Sequence, residues 1–284
     1  MNTITESKTE FSVGFISPQR LRDNQSAIIE FCKTKFEKDY LTFWEAIRLL
    51  QSPEIQSSYS PKQPIEVWNL ENPTFDKGLL EIMDQPKFQQ DWSFTSSDIQ
   101  RLRPNLEKGL ELFSNFFPET FKEFTNIIHS LLFAKRDAYD GGSVSSRIGM
   151  IWLSPKQTWT EVHWADNLVH EFVHNCLFIE DMVDTIFPFG AARMAKEDAL
   201  IISAIRRQKR GYDKSYHAAF VAYTLVEFYQ TIGLIDKAID IIPPLLVSLE
   251  DLSTNQNFIS KNGQQYLDEL IQNILEKSNE LGIK

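Results

Sequence analysis

A chain of 284 residues with 42% hydrophobic and 12% aromatic side chains can bury a sizeable core, and only 11 glycines and 12 prolines exclude collagen-like, low-complexity and wholly disordered architectures. Its 29 basic residues against 39 acidic ones leave a net charge of -10, a field that repels phosphate backbones and makes nucleic acid a poor partner. Two cysteines, Cys32 and Cys176, cannot build a disulfide framework, the N-terminus lacks a basic and apolar leader, and no apolar run reaches membrane-span length, so the expectation is a cytoplasmic protein without membrane association.

After a polar start that reads as loose, apolar positions at helical spacing predict two helices over 18–50, with Ile28, Cys32 and Phe36 in the first and Leu41, Trp44 and Ile47 in the second. Residues 51–75, interrupted by Pro53, Pro61, Pro64 and Pro73, read as a long surface connection. A second helical pair is predicted over 98–135, from Leu102 through Leu131 and Leu132. Tyr139-Asp140-Gly141-Gly142-Ser143 is a turn signal, and the apolar run Arg147–Leu153, closed by Ser154-Pro155, is the best strand candidate. From residue 163 the pattern is helical almost to the end, with breaks predicted near Phe187–Gly190, at Gly211, at Pro243-Pro244 and around Asn262-Gly263. The expected fold is therefore mainly α with a small β-sheet: a helical N-terminal lobe over 1–138 packed on a helical metal-binding lobe over 139–284, or one continuous domain.

His170-Glu171-Phe172-Val173-His174 is an HExxH motif inside a stretch with the apolar content of a buried helix. Positions i and i+4 share a helix face one turn apart, so both imidazoles can reach one metal while the glutamate points toward an adjoining cavity. The plainer alternative, polar side chains satisfied by packing, requires partners for two imidazoles and a carboxylate, whereas a metal serves both rings at once. Of the five histidines, His217 is the preferred third ligand because it opens a run of small residues suited to close helix packing, with Glu227 as the alternative metal ligand. His163 lies two helical turns from His170, too far for the same ion, and His129 reads as a core or surface histidine. Three imidazoles suit zinc with a water or iron(II) with a chelating co-substrate. Arg206, Arg207, Lys209 and Arg210 form a basic cluster that is either a solvated helix end or the source of a guanidinium for a small dicarboxylate.

The series Leu168-Val169-His170-Glu171-Phe172-Val173-His174, then Arg206 and Arg210, then His217 and the helix through Glu227-Phe228, resembles the HExxH-type peptide β-hydroxylases of modified-peptide (RiPP) biosynthesis. The likeness covers about residues 144–230, and Gly211 follows Arg210 where the family pattern has proline. The resemblance implies an iron(II)- and 2-oxoglutarate-dependent dioxygenase in which His170, His174 and His217 hold Fe(II), Arg210 or Arg206 binds the far carboxylate of 2-oxoglutarate, and Glu171 orients a ligand or substrate group. It further implies a peptide substrate hydroxylated with O2 at a β-carbon. Two other classes stay open: a zinc metallopeptidase with Glu171 as general base, and a helical binding module without catalysis.

Overall fold

The structure, a computed structural model, describes residues 10–51, 66–69, 92–136 and 139–283. It is mainly helical with two small sheets, in agreement with the fold class read from periodicity. Its contacts group residues 18–179 into one compact unit, and the segment up to Ser17 with the chain from Glu180 onward into another. This differs from the division expected at 138/139: the HExxH motif groups with the elements before it, and the two ends of the chain share a unit. Among the described residues no helix is long and apolar enough to cross a membrane.

In the 18–179 unit, α1 (Pro18–Phe36) buries Leu21, Asn24, Ile28 and Cys32, one stripe at three- and four-residue spacing. Helix α2 (Phe43–Leu50) starts at a capping box in which the Thr42 side chain accepts from the Glu45 backbone and the Glu45 carboxylate accepts from the Thr42 N–H. The connection read over 51–75 lies outside the described residues except at 51 and at β1 (Glu66–Asn69), which is a strand. Helix α3 (Ser96–Phe116) repeats the capping box with Thr95 and Asp98, and α4 (Pro118–Ile127) begins on a proline, whose missing N–H costs nothing in a first turn.

The helical pair predicted to 135 ends earlier, because Leu131 and Leu132 belong to β2 (Ser130–Phe133). With β3 (Gly141–Gly142) and β4 (Met150–Leu153) these strands form one sheet in the order β1-β2-β4-β3, parallel except for β3 against β4. All residues of β2 and β4 are buried. A strand covered on both faces is apolar throughout, and periodicity alone does not separate it from a buried helix. Helix α5 (Glu161–Val183) carries the HExxH motif, and Phe172 on it meets Phe113 and Phe124 with ring centroids 6.5 and 5.5 Å away.

In the other unit the start of the chain is not loose over its described part. Phe11, Val13, Phe15 and Ile16 are buried, and Phe15 packs edge-on to Phe220 and Tyr266, with centroids at 5.0 and 5.5 Å. After the short α6 (Ala191–Met194), a hairpin of β5 (Leu200–Ile202) and β6 (Lys209–Gly211) occupies a stretch predicted to be helical. Helix α7 (Tyr212–Thr231) is buried on nearly every side, and Gly211 is its N-cap, where a break was predicted. Pro243 and Pro244 do not break α8 (Ile235–Thr254) as predicted. Proline's fixed φ is compatible with a helix, and the buried row Ala238, Ile242, Leu245 and Leu249 holds the segment together around them. The break near Asn262 is the start of α9 (Lys261–Glu280), capped by the Ser260 hydroxyl accepting from Gly263 N–H.

Gly149, just ahead of β4, adopts φ +84, and a side chain there would run into the Trp44 ring and the Ile127 carbonyl. Gly149→Ala is expected to destabilise the protein by about 2–4 kcal/mol, read from the chemical denaturation midpoint, because neither backbone nor neighbours can give way. A shift no larger than that of an exposed surface substitution would contradict this placement.

Candidate metal centre

On α5 the side chains accessible beyond the first turn are Asp166, Asn167, His170, His174 and Phe178, a single stripe along an otherwise buried helix until Glu180. The rings of His170 and His174 lie side by side on it, centroids 5.2 Å apart, and Phe178 stacks beneath His174 at 6.3 Å. The His170 side chain is 26% exposed, against 4% for Glu171. The HExxH imidazoles thus reach the surface while the glutamate between them turns inward.

Glu171 has defined partners there. Its Oε2 accepts a 2.8 Å hydrogen bond from the Ser143 hydroxyl, and its Oε1 stands 3.8 Å from His170 Nε2. Gly141 and Gly142, read from sequence only as a turn signal, allow β3 to pass this close: a Cβ on Gly141 would press on Leu153 and the Trp152 carbonyl, and one on Gly142 on the Trp152 indole. Asn175 completes the support. Its side-chain Oδ1 accepts from Gly149 N–H at 2.7 Å and its Nδ2 donates to the Glu171 carbonyl at 2.9 Å, tying the entry of β4 to the HExxH turn. Sequence reading passed over Ser143 and Asn175. An asparagine within an apolar helix was the available signal, since a buried amide needs partners on both sides.

His217, Arg206, Arg210 and Glu227 belong to the other unit. His217 on α7 is 8% exposed and its ring stacks on Phe187, with centroids 5.7 Å apart. Burial pushes its pKa down to about 3, which keeps the imidazole neutral. The basic cluster is not a helix end but a hairpin: Arg206 and Arg207 sit exposed in the turn, where Arg207 has φ 53, Lys209 is exposed on β6, and Arg210 is half-buried. Arg210 pairs with buried Ile201, so its side chain leaves the strand on the covered face. Glu227, the alternative metal ligand, is engaged otherwise, its carboxylate accepting from Ser12 N–H at 3.0 Å and from the Ser12 hydroxyl at 2.7 Å. Ten residues beyond His217 on one helix, it is about 15 Å along the axis from it.

Among the described residues no group of three or more His, Cys, Asp or Glu side chains is placed to hold a common ion. The two donors in the 18–179 unit, neighbouring imidazoles on an accessible stripe beside a buried carboxylate, have the chemistry that zinc or iron(II) takes. No protein-family model matches the chain, and no curated protein matches it either.

The remaining histidines lie apart from the motif. His163 is exposed, its Nδ1 2.9 Å from the Thr160 hydroxyl at the start of α5. His129 meets the Trp44 ring edge-on at 4.6 Å, shares a 2.6 Å hydrogen bond with Ser130, and has its pKa lowered to about 4 by desolvation. An unfolded histidine titrates near 6.5, so between those values the unfolded chain binds more protons and stability falls as pH falls. Denaturation from pH 7 to pH 4 should cost the parent up to about 3 kcal/mol more than His129→Gln, with His217 contributing equally to both. Parallel pH curves for the two proteins would refute this.

Proposed function

We propose that this chain is a cytoplasmic iron(II)- and 2-oxoglutarate-dependent dioxygenase that hydroxylates a β-carbon of a residue in a peptide. The observation that carries the reading is the division of labour on α5: His170 and His174 present adjoining rings to an accessible stripe, while Glu171 is withdrawn and hydrogen-bonded to Ser143. A peptidase base must take a proton from water, and burial on a hydroxyl donor suits that task less than it suits orienting a neighbouring ring. The sequence series Arg206, Arg210, His217 adds the co-substrate and third-ligand candidates, of which Arg210 is rooted on a covered strand face and His217 is buried and neutral.

In this reading iron(II) with 2-oxoglutarate and O2 supplies the oxidation of an unactivated C–H bond. The chain's own residues supply position. His170 and His174 offer their imidazoles as ligands, with His217 as the third from its place in the series. Glu171, fixed by Ser143, sets the orientation of the His170 ring beside it. Arg210 offers a planar two-donor fork to the far carboxylate of the co-substrate, with Arg206 the alternative.

Protein purified without air should contain iron in excess of zinc, develop a charge-transfer absorption band on adding 2-oxoglutarate, and form succinate with O2. His170→Ala and His174→Ala should each lose the metal. Arg210→Ala should keep it and weaken 2-oxoglutarate binding by about tenfold or more, with Arg210→Lys restoring only part. Glu171→Gln should keep iron and some turnover. Zinc in place of iron, no band and no succinate would overturn the oxygenase in favour of hydrolysis, and loss of binding in Arg206→Ala alone would move the clamp to that residue.

A further inference from the structure

The carboxyl ends of the adjacent parallel strands β2 and β4 open onto a cavity of about 360 Å3, lined by Phe94, Asp98, Arg101 and Leu102 around the start of α3, by Lys135 and Arg136 after β2, and by Ser154, Pro155, Lys156 and Gln157 after β4. None of the HExxH residues lines it. A crevice outside the carboxyl ends of parallel strands is where open α/β sheets place their ligands, and this volume suits a small molecule or one or two side chains.

Its charge runs against the rest of the chain. Arg101, Lys135, Arg136 and Lys156 line it in a protein of net charge -10, and among the described residues Asp98 stands in the wall and Asp140 meets Lys156 at 3.0 Å. Asp98 is held by the Thr95 N–H and hydroxyl, then by Arg101, which together draw its pKa down to about 2. Arg136 lies over the Trp92 ring at 5.0 Å and the Tyr139 ring at 5.7 Å. Such stacking uses the guanidinium faces and fixes the plane from whose edge it donates, which lowers the entropy lost when an anion binds. The backbone of Arg136 is also held, because the Ser154 hydroxyl accepts from its N–H at 2.7 Å and donates to its carbonyl at 3.0 Å.

The floor decides the class of anion. Phe94 and Leu102, each 6% exposed, and buried Pro155 give the cavity an apolar edge that inorganic phosphate would leave unused. We propose that this cavity binds an organic carboxylate on an apolar stem, with Arg136 and Arg101 on the carboxylate and Phe94, Leu102 and Pro155 against the stem. The source is either an acidic side chain flanked by apolar ones in a peptide or a free dicarboxylate. The proposal does not rest on the oxygenase reading, and metal-free protein serves to test it.

Calorimetric titration of the full-length protein with a blocked Glu-Leu-Glu tripeptide, with glutarate and with inorganic phosphate separates the cases. Saturable binding of the tripeptide about tenfold or more tighter than glutarate assigns a peptide-borne carboxylate, and comparable binding of glutarate assigns the free acid; both support the proposal. Arg136→Ala should weaken the carboxylate about tenfold or more. Because Arg136 also packs on two rings, Arg101→Gln at a side chain 63% exposed is the second variant, and it should weaken binding while moving the denaturation midpoint no more than an exposed surface substitution does. Phosphate binding as tightly as the carboxylates, no saturable binding of any probe, or binding indifferent to both substitutions would overturn the proposal.

Discussion

Near-complete burial of α5 between its first turn and Ile179 governs how its unit is built. Trp164, Ala165, Leu168, Val169, Phe172, Val173, Cys176, Leu177 and Ile179 are all covered, leaving one narrow stripe for polar groups. A helix hydrophobic nearly all round must be enclosed by other elements, and Gly109 on α3 and Phe113 beside Phe172 show how closely they approach. The HExxH imidazoles are polar groups that the enclosure spares, and the glutamate between them is one that it takes in.

A carboxylate taken in that way has to be satisfied, and the neighbouring structure is arranged to do it. Ser143 reaches Glu171 because two glycines bring β3 tight against β4, and β4 is in turn anchored to α5 through Asn175. Backbone groups at the entry of β4 and in the motif are thereby paired through one amide, and the inward orientation of Glu171 follows from the sheet as much as from the helix. The geometry of the motif is thus a property of the whole unit.

Helices with one-sided stripes were legible in the sequence: α1, α2, α3 and α4 lie where spacing predicts them, and α5, covered nearly all round, lies where its apolar content predicts it. Leu131 and Leu132 were misread because a strand buried on both faces has no alternation to show. The β5–β6 hairpin escaped for a related reason, since strands of three residues are too short to display a period and their turn contains no glycine. Pro243 and Pro244 misled in the other direction, because a local breaker was outweighed by a tertiary stripe. In the motif itself, His170, Glu171 and His174 stand out by their spacing. Ser143 and Asn175 do not, because their value lies in contacts 28 and 26 residues away that no local pattern encodes.

The segment around Ser12 fastens to Glu227, 215 positions further along the chain. During synthesis from the N-terminus, Phe11, Phe15 and Ser12 emerge long before α7 and α9 exist to receive them, whereas every element of the 18–179 unit can meet its partners once residue 179 has cleared the ribosome. Order of manufacture and order of assembly therefore diverge: the first described residues made are among the last to reach their place. Closing a loop of that length is entropically slow, and until it closes Phe11, Val13, Phe15 and Ile16 lack the cover they have in the folded chain. The same latch that completes the native state leaves these apolar side chains uncovered on the nascent chain until α9 has been made.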